Sequence, residues 1–183
     1  MSIFLPNEGA DRPDHNVPRA VHVPAGKGLT KWVSGDVYEL KATGEATNGS
    51  LSFVDAWVPP GNGPVAHVHN STDETFYIVS GALEMLNGDE TFIAEAGSLV
   101  FVPRGTRHRF RNIGGSETHM VFLFTPNGPE AFFTEIGDDP VPGEQPRFWS
   151  TERFMRHLPI IERADLDTVL APEQADLPPV AQA

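Results

Sequence analysis

No cysteine occurs anywhere in the chain. Disulfides, thiolate nucleophiles and sulfur-ligated metal sites are therefore excluded, and a reducing compartment is consistent with the absence. Basic residues are scarce: 13 Lys and Arg stand against 25 Asp and Glu, a formal net charge of −12. Such a surface repels a phosphate backbone, so nucleic acid is not an expected partner. No apolar run approaches the ~20 residues that span a bilayer, so no membrane association is expected. The first residues, Met1-Ser2-Ile3-Phe4-Leu5-Pro6, show neither a basic stretch nor a long apolar one, which predicts no signal peptide and a cytoplasmic location. What remains is 183 residues with 39% hydrophobic and 21% charged side chains, enough for one domain with a continuous core.

The chain divides into three parts. Residues 1–17 are polar, contain Pro6 and Pro13, and are expected to form a flexible arm. Residues 171–183, poor in large apolar groups, are expected to form a flexible tail. The domain between them, 18–170, opens with short β-type runs separated by Gly, Pro and Asn, including Leu51-Ser52-Phe53-Val54-Asp55-Ala56-Trp57-Val58, Thr75-Phe76-Tyr77-Ile78-Val79 and Met120-Val121-Phe122-Leu123-Phe124. Asn87-Gly88 is a hairpin signal of the type I′ kind. This spacing predicts an all-β antiparallel sandwich or barrel. Beyond residue 127 the pattern turns helical. Pro129 suits a first helical position and Glu130 the positive end of the dipole, with Gly137 as the stop. Weaker helical segments are predicted at 151–158 and 165–170.

The residues that carry chemistry lie in two blocks, 61–81 and 97–112. His67 and His69 are two apart, so on a strand both rings point to one face. Glu74 begins the next β run after a short polar segment, and His108 follows the Pro103-Arg104-Gly105 turn. Three imidazoles and a carboxylate can thus converge. A lone histidine near a strand is more often an ordinary core or surface residue, which is the reading given to His15, His22, His119 and His157.

The joint spacing changes those odds. The first block reads G-x5-H-x-H-x4-E-x6-G from Gly61 to Gly81, and the second reads G-x5-P-x-G-x2-H-x3-N from Gly97 to Asn112. Both resemble the paired motifs of the cupin superfamily at every position. The resemblance implies a cupin (jelly-roll) β-barrel with short C-terminal helices. It implies metal ligands at His67, His69, Glu74 and His108, turn roles for glycines 61, 81, 97 and 105, and a structural role for Asn112. One divalent ion is expected, with Fe, Ni, Mn, Co, Cu and Zn all compatible with the donors. A homodimer is expected from the same resemblance.

Strand parity adds a lining. If Glu74 faces inward, so do Phe76 and Ile78; if His108 does, so does Phe110. Phe122 joins them if β parity turns Met120, Phe122 and Phe124 inward rather than Val121 and Leu123. Phe76, Ile78, Phe110 and Phe122 are thus candidate contacts for a planar, aromatic small molecule. Arg107, Arg109 and Arg111 have the opposite parity and are expected on a solvated face, paired with acids. A looser similarity, carried by Trp32–Asp36, residues 41–47, residues 73–77 and Thr125–Phe133, is to bacterial single-domain cupins related to quercetin 2,3-dioxygenase. It implies a dioxygenase acting on an aromatic or enolic, flavonol-like compound with dioxygen as co-substrate. Glu74 would then also act as the base that takes the substrate hydroxyl proton. Two other functions fit the same ligands: a redox-neutral isomerase, cyclase or dehydratase, and a non-catalytic small-molecule binder.

Overall fold

Residues Ser52–Val58 alternate strictly between buried and half-exposed positions, the signature of a strand with one face on a core. The same period recurs along Thr118–Thr125, where Thr118, Met120, Phe122 and Phe124 are buried. These are two of eleven strands in the computed structural model, which describes residues 20–168. The arm expected at 1–17 and the tail expected at 171–183 lie outside the described residues.

The strands in chain order are β1 (Leu29–Val33), β2 (Asp36–Ala42), β3 (Ser52–Val58), β4 (His67–His69), β5 (Asp73–Ser80) and β6 (Ala82–Asn87). They continue with β7 (Glu90–Glu95), β8 (Leu99–Val102), β9 (His108–Arg111), β10 (Thr118–Thr125) and β11 (Leu166–Thr168). Two helices, α1 (Glu130–Ile136) and α2 (Thr151–Arg163), follow β10. One sheet has the order β1-β2-β3-β10-β5-β8 and the other β11-β4-β9-β6-β7, with every pairing antiparallel. This is the expected all-β jelly roll with short C-terminal helices. The core lies between the sheets: Val54, Ala56 and Val58 from β3, Phe76 and Ile78 from β5, Leu83 and Met85 from β6, and Met120, Phe122 and Phe124 from β10. Among the described residues, no helix is long and apolar enough to cross a membrane.

Three local expectations are corrected. The β6–β7 hairpin exists, but Asn87 pairs with Glu90, so the two-residue loop is Gly88-Asp89. Of the loop residues only Gly88 has a positive φ, 63°, which is the type II′ arrangement with glycine at the first central position. Helix α2 runs past the expected end at 158 and through Pro159. Pro159 is exposed, so the carbonyl it leaves without a partner can be hydrated. The predicted helix over 165–170 is instead strand β11 through Thr168, paired antiparallel with β4: Leu166 lies opposite His69 and Thr168 opposite His67. Asp165, at φ 67°, breaks the helix, and the open edge of β4 supplies ladder partners that outweigh local propensity.

Helix α1 buries Phe132, Phe133 and Ile136 in the core. Its first turn is held by Glu130, whose carboxylate accepts from Gly128 N (2.7 Å) and, across the molecule, from Gly44 N (2.9 Å).

Candidate metal centre

The two sheets bring His67 and His69 from β4, Glu74 from β5 and His108 from β9 to one buried point, with their ligand atoms all within 4.8 Å of one another. Parity places both β4 histidines on one face, and His67 is directly opposite His108 across the β4–β9 pairing. Each imidazole is oriented through its Nδ1. His67 Nδ1 lies 2.9 Å from Val65 O, His69 Nδ1 3.0 Å from Asp165 O, and His108 Nδ1 2.9 Å from Thr106 O. A carbonyl only accepts, so each Nδ1 carries a proton and each Nε2 is directed to the centre. This is the tautomer that a metal-ligating histidine requires, with its outer nitrogen already satisfied.

At the centre, His108 Nε2 is 2.8 Å and His69 Nε2 3.4 Å from Glu74 Oε2. His69 Nε2 is buried and has no hydrogen-bond partner of good geometry. Two imidazole nitrogens thus converge on one carboxylate oxygen, and a cation must sit among them, as a proton or a metal ion. Burial pushes the Glu74 carboxyl up, but the close approach of His108 and His69 outweighs it and brings the pKa down to about 2. Burial, reinforced by His108 and His69, lowers His67 to about 3, which keeps it a neutral donor. Three neutral-capable nitrogens, one ionised oxygen and an orphaned buried Nε2 fit a divalent ion, so this group could hold one.

The candidate lining residues divide. Phe76 is one pleat from Glu74, and its ring centroid is 6.4 Å from that of His108. Phe110 and Phe122 stand behind it, at 5.9 and 6.1 Å from the Phe76 ring. Ile78 is fully buried but lies four residues along β5 from Glu74, roughly 13 Å away at strand rise, among the core of the far end. Phe124 stands nearer the ligands, with its ring 5.4 Å from His69. Parity on β10 alone left Phe124 undecided. Tyr38, which sequence reasoning missed, and Phe133 of α1 complete the aromatic interior: Tyr38 meets Phe122 at 5.3 Å and Phe133 at 4.9 Å. The alternation of Asp36, Tyr38 and Leu40 on β2 was the available signal. The Asp165 carbonyl carried none, because its role depends on backbone placement.

The remaining expectations fall into place around the site. Asn112 is buried and donates to Val58 O and Ser116 O at 2.8 Å each, while its Oδ1 accepts from Gly114 N. Arg109 pairs with Glu84 and Arg104 with Asp73, away from the ligands. His119 pairs with Asp55 and stacks on Trp57 outside the barrel.

Residues 56–124 match the family model described as a cupin domain. The chain is 33% identical over 98 residues to the tetracenomycin polyketide synthase protein TcmJ of Streptomyces glaucescens, covering 53% of this chain and 64% of that protein. It is 38% identical over 85 residues to the polyketide synthase CurC of Streptomyces cyaneus, covering 46% and 54%. It is also 35% identical over 97 residues to protein SchB of Streptomyces halstedii, covering 52% and 69%. The chain thus spans less than two thirds of the first two relatives. Among solved structures, KdgF from a Halomonas species superimposes with a TM-score of 0.54 at 20% identity, covering 60% of this chain and 96% of that one. A predicted oxalate decarboxylase from Thermotoga maritima gives 0.54 at 18% identity, covering 57% and 98%. At such identities these structures speak to fold alone, and they agree with the jelly roll. With both histidine-bearing motifs inside the matched segment and more than two thirds of SchB covered, the chain belongs to the cupin superfamily.

Proposed function

We propose that the protein is a metal-dependent enzyme acting on an enolisable aromatic small molecule of the polyketide type, with Glu74 as the base. The observation that supports this most directly is the convergence of His67, His69, Glu74 and His108 on one buried point beside an aromatic interior. His67, His69, Glu74 and His108 would hold a divalent ion, which would supply Lewis acidity toward a substrate carbonyl or hydroxyl oxygen. Glu74 accepts the proton that such a substrate gives up. Phe76 and Phe124 flank the ligands, exclude water and offer faces to a planar ring, with Phe122 behind them. Phe110 supports that wall from the core. The polyketide class comes from the names of two relatives, TcmJ and CurC. Flavonol cleavage with dioxygen would use the same residues up to proton removal.

Metal-loaded protein is incubated with aryl diketones and aromatic hydroxy-ketones, in air and under nitrogen, and products are weighed by mass spectrometry. The expected outcome is conversion under nitrogen with no gain of oxygen. Conversion only in air, with oxygen uptake, would assign the dioxygenase reaction instead. Binding without conversion in either atmosphere would overturn the enzymatic reading. Glu74→Gln should lower turnover roughly 10²-fold or more.

A further inference from the structure

We propose that Asp165, in the segment that follows the family-matched barrel, is a positioning residue for the metal centre. Its backbone carbonyl fixes the His69 ring so that Nε2 faces the other three ligands. The inference rests on reading His67, His69, Glu74 and His108 as metal ligands.

Strand β4 is three residues long and carries two of the four ligands. Against β9 it registers only through His67 and His108. Without β11 it would be an edge strand of minimal pairing, a poor platform for two side chains that must converge within tenths of an ångström. Strand β11 pairs with it along its whole length and turns it into an interior strand.

Asp165 stands at the entry to that pairing and makes two connections at once. Its carbonyl accepts from His69 Nδ1 at 3.0 Å. Its carboxylate accepts from Ser71 N through both oxygens, at 2.9 and 3.0 Å, and also engages the Thr72 side chain. The side chain thus grips the loop that leaves β4 while the main chain grips the ligand within β4. The φ of 67° aims the carbonyl, a conformation that Asp, Asn and Gly tolerate better than other residues.

The grip is carried back to the barrel through α2. Ser150 Oγ caps that helix by accepting from Arg153 N. Arg153 pairs with Asp138 through two nitrogens and donates to Ile136 O at the end of α1. Asp138 in turn exchanges backbone hydrogen bonds with Trp32 in β1, at 2.8 and 2.9 Å. Ile161 of α2 is buried in the core. The family-matched segment ends at residue 124. A ligand of the centre is therefore oriented by a segment that the shared barrel does not supply.

The test uses the 183-residue chain and its Asp165→Gly and Asp165→Asn variants. Glycine keeps the φ without strain and removes the carboxylate; asparagine keeps both the φ and an acceptor. Two readouts are taken. In metal-free protein, ¹H–¹⁵N spectra of the histidine rings follow exchange of the His69 Nδ1 proton. In parallel, zinc affinity is measured by chelator competition. In Asp165→Gly the Nδ1 proton should exchange at least tenfold faster and zinc affinity should fall by about tenfold or more. Asp165→Asn should stay within about threefold of the unaltered protein, since it restores the grip. Unchanged ring exchange and zinc affinity in Asp165→Gly would overturn the proposal, as would an equal loss in both variants. If the unaltered protein binds no zinc, the ligand reading fails, and ring exchange still decides whether Asp165 positions His69.

Discussion

The His69 ring sets Nδ1 on the Asp165 carbonyl, turns Nε2 toward Glu74 and packs T-shaped against Phe124. Removing the ring should therefore separate metal binding from folding. His69→Ala deletes a donor atom and leaves the Asp165 carbonyl without that partner, a cost of about 1–3 kcal/mol. The barrel's remaining pairings are untouched. The expected outcome is a β-type circular dichroism spectrum like that of the unaltered protein, with metal content by elemental analysis strongly reduced. The loss of affinity should exceed the roughly 10–100-fold typical of an outer-shell partner. Full metal occupancy in this variant would mean that the ligand set is wrongly assigned. The grouping of His67, His69, Glu74 and His108 was legible because two short motifs, resembling those of the cupin superfamily, fix donor types and turn residues at set spacings. Asp165 was not legible, because a carbonyl that orients a ring is specified by backbone path, and any residue type supplies one.

Strands were legible where one face meets the core and the other meets water, as in β3 and β10. They were least legible where pairing alone sets the structure, as in β11. Turns show a similar divide. The motif glycine Gly97 has φ +88° with open space around it, so conformation is its whole requirement. Gly63, at a variable position of the motif, has φ +156°, and a Cβ there would run into the Phe110 carbonyl oxygen. Nothing in the Asn62-Gly63-Pro64 sequence distinguishes this close approach from an ordinary turn glycine. The two positions should respond differently to alanine. Gly97→Ala should cost about 1–2 kcal/mol, the price of a left-handed residue. Gly63→Ala adds a clash between the loop leading toward β4 and the backbone of β9, so it should cost at least about 3 kcal/mol. Urea unfolding midpoints at constant slope provide the comparison. Equal losses at the two sites would contradict the close approach at Gly63.

For the molecule as a whole, stability against pH is set by a few buried groups rather than by the net charge of −12. Asp36 lies buried at the start of β2, bonded to Tyr38 Oη (2.9 Å) and Asn62 Nδ2 (2.5 Å). Burial pushes its carboxyl from 3.8 up to about 7, and those two hydrogen bonds only partly oppose the shift. Between those values the folded state keeps a proton that the unfolded chain has released. Its contribution is fully present below pH 3.8 and is lost as pH rises through 7. His67 works in the opposite direction. Its pKa falls from 6.5 to about 3, so its contribution is present above pH 6.5 and lost as pH falls. Glu74, lowered from 4.5, exerts its effect below that value, and His69, raised from 6.5, above that one. From pH 4.5 to 6.5 the slopes of Asp36 and His67 oppose each other, and metal-free protein should show a nearly flat stability curve. Asp36→Asn removes one slope while keeping a side chain that can bond to both Asn62 and the Tyr38 hydroxyl. This variant should gain about 2–3 kcal/mol across that interval, at ~1.36 kcal/mol per pH unit. Chemical denaturation of chelator-treated protein at the two pH values measures it, and parallel curves for variant and parent would show that Asp36 does not hold its proton in the folded barrel.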